Sequence, residues 1–282
     1  MNDAADRPVL GAAYMFGASV AFALLGVVVK MASATMPTSE IVLWRSLLSA
    51  CFVGAAIGAR GRSLRPANLR MHAVRAVVGI TSMLLYFEAI ARLPLGDAVL
   101  ITYMSPLLVG VASPLVGERP PPRIWAALAL GLVGVAFVAG PAASDDLIGL
   151  GCAVVAAFCA AGAYLSVRTL TRTDSSEVIV FWFGVIGTFL AAPTLLQGTA
   201  VDSPRTAGLM VAVGLLGAIA QTLMTKAYAV ANAAQVSVVQ YATPVFAYAL
   251  GLVLLHEYPS GAGIVGTMCV ALAGFIAARP PQ

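Results

Sequence analysis

Arg45 is the first residue to draw chemical interest, because it is a cation within an apolar run. An ionised side chain near the centre of a bilayer costs roughly 2.5–3.5 kcal/mol, so it is retained for a reason. Glu40 lies just before it in the same run, and Glu88 and Asp97 lie in the two runs that follow. One reading pairs Arg45 with Glu88 or Asp97 to hold a substrate carboxylate or a moving proton. The other makes the same pair a structural lock between helices. The later polar residues are Gln221, Lys226, Asn232, Gln235 and Gln240. Lys226 is close enough to a run end to snorkel to the interface. Gln221 and Gln240 lie deeper. A buried amide there either bonds a neighbouring helix or, facing a cavity, binds solute.

Aromatic residues add a second signal. Tyr86, Tyr103, Tyr164, Trp182 and Tyr241 all fall within apolar runs. Tyr103 precedes Pro106 by three positions, and Tyr241 precedes Pro244 by three. Each proline removes a backbone hydrogen bond and frees a carbonyl one turn earlier. Such kinks persist where a neighbour or a cavity satisfies that carbonyl. The candidate substrate-binding set is therefore Arg45, Tyr86, Glu88, Tyr103, Tyr164, Trp182, Gln221, Gln240 and Tyr241. Pro106 and Pro244 are the helix kinks, and Glu88 and Asp97 are the proton-coupling candidates.

Other chemistries lack their residues. His72 and His256 sit near opposite run ends, and no HExxH, GxSxG or phosphate-binding loop occurs. No enzyme, cofactor or metal site is expected. Cys51, Cys152, Cys159 and Cys269 lie in apolar runs without a CxxC pair, so they read as small packing residues. A formal net charge of +4 gives no reason to expect nucleic acid.

The elements that must position these residues are membrane helices. Of 282 residues, 60% are hydrophobic and only 10% charged, and the mean hydropathy is +0.94. Soluble domains carry roughly 25% charged residues. Each span needs about 20 apolar residues. Ten such runs occur: Val9–Met31, Thr38–Ala59, Met71–Ile90, Leu95–Val116, Ile124–Gly140, Leu147–Val167, Glu177–Gln197, Thr206–Tyr228, Ala234–His256 and Gly261–Ala278. The first is too long for a signal-peptide core, although Ala32-Ser33-Ala34 resembles a cleavage site; it reads as a retained span. Gly54-x-x-x-Gly58 reads as close packing within a monomer, with a homodimer face as the alternative.

Lysine and arginine asymmetry sets the orientation. With the N-terminus inside, Arg7, Arg60, Arg62, Arg65, Arg70, Arg75, Arg119, Arg123, Arg168, Arg172, Lys226 and Arg279 lie at the inner side. Only Lys30, Arg92 and Arg205 lie outside. Both termini are then cytoplasmic. The chain also repeats itself. Tyr103-Met104-Ser105-Pro106 and Gly117-Glu118-Arg119-Pro120 recur as Tyr241-Ala242-Thr243-Pro244 and His256-Glu257-Tyr258-Pro259, 138 to 139 positions later. Phe22 to Gly26 matches Phe158 to Gly162, and Ser39-Glu40 matches Ser176-Glu177. The units are residues 9–140 and 147–278, with five spans each. An odd number of spans makes the second copy insert upside down, which puts a binding site at the midplane between the halves.

The doubled five-helix unit, the Tyr-x-x-Pro of each fourth span, the glutamates that follow (Glu118, Glu257) and the small-residue fifth spans (Gly131 to Gly134, Ala271 to Gly274) resemble the drug/metabolite transporter superfamily, EamA type. The resemblance covers about residues 10–279. It implies a bacterial inner-membrane carrier, with export of amino acids and other small metabolites as the family tendency. Mixed aromatic and amide lining favours an aromatic or amphiphilic solute. A metabolite uptake carrier or exchanger, for a nucleoside- or vitamin-like solute, is the alternative. A channel or a membrane-embedded enzyme is the reading from another class. The expected partners are a small-molecule substrate and the lipid bilayer, and Glu118 and Glu257 are expected to serve structure.

Overall fold

The structure is a computed structural model that describes residues 7–117, 122–138, 146–258 and 260–278. Glu118, Arg119 and the C-terminal Arg279 lie outside the described residues, as does the stretch 139–145.

Every element among the described residues is helical. Local chemistry sets their starts. Helix α1 (Pro8–Ser33) opens on a proline, which surrenders an amide that has no helical partner anyway. Helix α2 spans Thr38–Gly58. Asn68 caps α3 (Leu69–Arg92) by accepting the Met71 amide. The next run is broken into α4 (Leu95–Thr102) and α5 (Ser105–Ala112), and a 3₁₀ turn (Ser113–Val116) ends on the left-handed Gly117. Helix α6 is Pro122–Val138. Asp146 caps α7 (Leu147–Leu170), and Ser175 caps α8 (Ser176–Ala191), which tightens into a 3₁₀ segment (Ala192–Gln197). A reciprocal Ser203–Thr206 capping box and a proline start α9 (Pro204–Val230). A second broken run gives α10 (Ala233–Val239) and α11 (Ala242–Leu255), before α12 (Gly261–Ala278).

Eight of these stretches are long and apolar enough to cross a bilayer: Pro8–Ser33, Thr38–Gly58, Leu69–Arg92, Leu95–Val116, Leu147–Leu170, Ser176–Gln197, Pro204–Val230 and Gln235–Leu255. The remaining two predicted runs contain shorter apolar helices, Trp125–Phe137 and Gly261–Ala273. Large apolar side chains such as Phe16, Phe52, Phe158, Phe189, Leu215 and Met268 point outward. A soluble protein does not leave so much apolar surface in water, whereas lipid accepts it. The chain is a multi-pass membrane protein.

The helices interleave across the sequence midpoint. α1 packs on α9, and α7 packs on α3; α2 packs on α8, and α6 on α12. α1 also lies along α10 and α11, while α7 lies along α4 and α5. The partner list is thus unchanged when each element is exchanged for its counterpart in the other half.

Polar side chains tie each end of the bundle. At one end Lys30 donates to the Leu93 carbonyl (2.6 Å) and pairs with Glu257 (3.5 Å), whose carboxylate accepts the Leu95 amide (2.7 Å). Nearby, Arg92 bridges Glu88 (2.7 Å) and Asp146 (3.4 Å). The Gly149 amide is the chief reason that the Asp146 carboxyl titrates below the usual carboxylate range. Glu40 at this end accepts from Thr199 (2.6 Å), the Ala200 amide and Trp44. At the opposite end, Asp174 accepts the Ala67 amide (2.8 Å) and faces His72 (3.6 Å), while Lys226 pairs with Glu177 (3.5 Å).

Between these ends the helices approach closely through small residues, since lipid supplies no hydrophobic drive to pack them. A Cβ on Gly184 of α8 would lie 2.8 Å from the Ser46 carbonyl oxygen and 2.9 Å from the Ala50 Cβ on α2. Backbone cannot move aside cheaply. Gly184→Val is expected to lower the thermal midpoint of the detergent-purified protein, at a cost of about 1–3 kcal/mol. Gly58→Ala, where nothing lies within 4 Å, serves as the control. Equal midpoints for the two variants would refute close α2–α8 packing as a source of stability.

Candidate functional site

Where α1, α2, α3, α7, α8 and α9 meet the end of α4, a partly open cavity leaves room of about 80 Å³. Both halves line it. Arg45 enters from α2, Arg75, Ser82, Met83 and Tyr86 from α3, and Thr102 and Tyr103 from the α4 end. Tyr164 comes from α7, Phe183 from α8 and Gln221 from α9. The break in the fourth run is what brings Tyr103 there: the helix stops at Thr102 and restarts at Ser105, with Pro106 in the new first turn.

Two guanidiniums dominate the site. Arg45 and Arg75 are each only 3% exposed. Arg45 donates through Nη2 to the Gln221 Oε1 (3.3 Å), and its Nε has no partner. Arg75 has no partner for Nε or Nη1. Both lie against one ring. The Arg75 guanidinium carbon is 4.1 Å from the Phe183 centroid, and that of Arg45 is 5.3 Å.

Glycines make this room. A Cβ on Gly79, one turn along α3, would collide with Arg75 Nη1 and come 2.9 Å from Phe183. A Cβ on Gly217 of α9 would lie 2.8 Å from Arg45 Nε.

Among the described residues that line the cavity, none is acidic. The expected pairing of Arg45 with Glu88 or Asp97 does not form. Glu88 sits near the far end of α3, where Arg92 one turn on (2.7 Å) and the Thr38 hydroxyl (2.8 Å) occupy it. Asp97 lies in the first turn of α4 and turns to α11, accepting the Tyr248 hydroxyl at 2.5 Å. A cation–π contact contributes roughly 0.5–2 kcal/mol. Each buried charge costs roughly 2.5–3.5 kcal/mol near the bilayer centre. One phenyl ring therefore does not offset two guanidiniums, and the site carries uncompensated positive charge.

Of the residues that sequence singles out, Arg45, Tyr86, Tyr103, Tyr164 and Gln221 meet at this cavity, and the Tyr86 hydroxyl is buried there without a partner. Glu88, Trp182, Gln240 and Tyr241 do not line it. Trp182 donates to the Leu64 carbonyl (2.8 Å) in the connection after α2. Gln240 reaches the Tyr228 hydroxyl (3.4 Å). Tyr241 stands at the matching break between α10 and α11, but its hydroxyl is directed at α6, where Gly131 leaves space for it. Pro244 lies in the first turn of α11. Equivalent breaks thus carry tyrosines into different surroundings, and the cavity is asymmetric.

Sequence reasoning misses Arg75 and Phe183. Charge counting assigns Arg75 to the loop cations, because only a few residues separate it from Arg70. The long side chain instead folds inward over Gly79. Phe183 is one apolar residue among many, and no sequence signal separates it. The absence of any side chain at Gly79, i+4 from Arg75, is the one available hint.

Comparison with known proteins agrees with this architecture. The model of the EamA-like transporter family matches residues 9–140 and again 147–279. The pseudopaline exporter CntI of Pseudomonas aeruginosa is 31% identical over 263 residues, 91% of each chain. A riboflavin transporter of Rhizobium johnstonii is 29% identical over 238 residues, covering 82% of this chain and 78% of that protein. Another, of Vibrio cholerae, is 25% identical over 274 residues, covering 95% and 92%. A solved crystal structure shares the fold with a TM-score of 0.77 at 22% identity, covering 95% of this chain and 96% of its own. With a twice-matched family model and a multi-pass helical bundle whose two halves share one cavity, this chain belongs to the EamA-like transporter family, a family of transporters and not of enzymes.

Proposed function

We propose that this protein is a secondary carrier of the bacterial inner membrane. Ten helices, arranged as inverted halves at residues 9–140 and 147–278, alternate access to the cavity around Arg45 and Tyr103. The observation that carries this reading is a cavity built by both halves, with two buried arginines, three tyrosines and the Gln221 amide in its lining. Inversion is supported by the exchangeable helix partners. It is also supported by direction: the Arg7 amide at the start of α1 bonds the Val230 carbonyl, while Arg168 near the end of α7 bonds the Tyr228 carbonyl. Removing Arg75 from the loop cations leaves the inward charge bias strong, which supports cytoplasmic termini.

The solute is a small amphiphilic metabolite whose carboxylate meets Arg45, with Tyr86, Tyr103, Tyr164 and Gln221 around the remainder. Amino acids and their derivatives have this form. The pseudopaline exporter supports export as the direction. Relatives named as riboflavin transporters support a second reading, an uptake carrier or exchanger for a nucleoside- or vitamin-like solute. Asp97 is the preferred proton-coupling group. Its partner is a neutral hydroxyl, whereas Glu88 is already committed to Arg92.

Three outcomes follow. Cysteines introduced at Arg62 and Ala143 should label from opposite faces of intact vesicles; labelling from one face would end the inverted arrangement. In proteoliposomes loaded with labelled amino acids and related carboxylates, the wild-type protein should show saturable counterflow. Arg45→Ala should reduce it by about tenfold or more, as expected for losing a charged hydrogen bond, with insertion intact. Unchanged kinetics would remove Arg45 from the site. Asp97→Asn should retain counterflow but lose acceleration by an imposed proton gradient, and acceleration that survives would exclude Asp97 as the coupling group.

A further inference from the structure

The cavity holds two cations where its proposed use as an amino-acid-type site needs one. Arg45 and Arg75 stand on adjacent helices against the same Phe183 ring, both buried, with three nitrogens between them lacking any partner. Glycines at 79 and 217 hold open the space that these side chains occupy. No described lining residue supplies a carboxylate, so no opposite charge there would meet a substrate ammonium group. A zwitterion would satisfy one guanidinium and set its own cation against the other. A neutral solute would leave both charges unmet.

We infer that the cavity binds small organic dianions that carry two acidic groups, one held by Arg45 and the other by Arg75, and that Arg75 is a substrate-binding residue. This rests on the carrier reading and, among the carboxylates that reading allows, favours dicarboxylates over zwitterionic amino acids. The two guanidiniums come from separate helices, which favours two spaced carboxylates over one doubly charged group. Aromatic lining from Tyr86, Phe87, Tyr103, Tyr164 and Phe183 suits an apolar body between them.

The test measures thermal unfolding of the full-length, detergent-purified protein with four probes of similar size: phenylsuccinate, 4-phenylbutyrate, phenylalanine and phenyl phosphate. A ligand that binds the folded state raises its midpoint. Phenylsuccinate should raise it most, and phenylalanine least. Arg45→Gln and Arg75→Gln should each erase the excess over phenylbutyrate, corresponding to a loss of about tenfold or more in affinity. Both variants should fold, since each removes an uncompensated buried charge. Arg75→Lys should keep part of the preference, because it keeps the charge.

Equal stabilisation by phenylalanine or phenylbutyrate, no response to phenylsuccinate, or an Arg75→Gln protein that keeps the full preference would each overturn the assignment. Phenyl phosphate acting in place of phenylsuccinate would overturn the two-carboxylate form. Counterflow of the same probes in proteoliposomes separates the two readings. Binding of phenylsuccinate without counterflow defeats the carrier and leaves the dianion site. Counterflow of phenylalanine without phenylsuccinate binding does the reverse.

Discussion

Two guanidiniums pressed against one phenyl ring, in a cavity that no described acidic residue lines, are the constraint around which the rest of this bundle is arranged. Burying one cation in a membrane protein is costly, and burying two side by side adds their mutual repulsion. Under the proposed dianion site, the solute restores the stability that this arrangement gives up. The glycines at 79 and 217, the unpartnered Tyr86 hydroxyl and the Gln221 amide all serve the same small volume. The acids that would have neutralised the site are instead spent elsewhere. Glu88, Glu40 and Glu257 tie helix ends and connections together, and Asp97 meets a tyrosine.

That division of labour fits the movement a carrier must make. The ion pairs Lys30–Glu257 and Lys226–Glu177, at opposite ends of the bundle, are partly exposed. Partly exposed pairs are individually weak and are exchanged for water at little cost. The centre, by contrast, is held by close helix contacts such as that of Gly184 with α2. Weak ion pairs at the ends and close packing in the middle are what the proposed rocking of one half on the other requires. The Glu257 carboxylate ties the two halves together at one end, because it accepts the Leu95 amide at the start of α4 while pairing with Lys30.

The near-twofold pairing of helices does not extend to the site. Tyr103 and Tyr241 stand at matching breaks, yet one faces the cavity and the other packs on α6. Arg45 and Arg75 both belong to the first half, and the second half contributes Tyr164, Phe183 and Gln221. A repeat that duplicates the scaffold leaves each copy free to diverge in the few side chains that touch solute. Family membership therefore identifies the mechanism class more readily than the solute, and relatives that share this scaffold are named for pseudopaline and for riboflavin.

Much of this was legible in the residues alone. Scarcity of charge dictates a membrane fold, because no water-facing surface can be built from so few charged groups. Pro106 and Pro244 mark the two mid-run breaks, since a proline acts within a turn of itself. The repetition of Tyr-x-x-Pro reveals the doubled unit, and Arg45 announces itself as a charge with no interface within reach. What sequence cannot decide is direction in space. Whether Arg75 snorkels outward or folds inward over Gly79, whether Glu88 meets Arg45 or Arg92, and which of two equivalent tyrosines faces the cavity depend on how helices distant in the chain are rotated against one another. Those rotations are set by packing summed over many contacts, not by any local pattern. The missing counter-charge, on which the substrate reading turns, exists only in the assembled bundle.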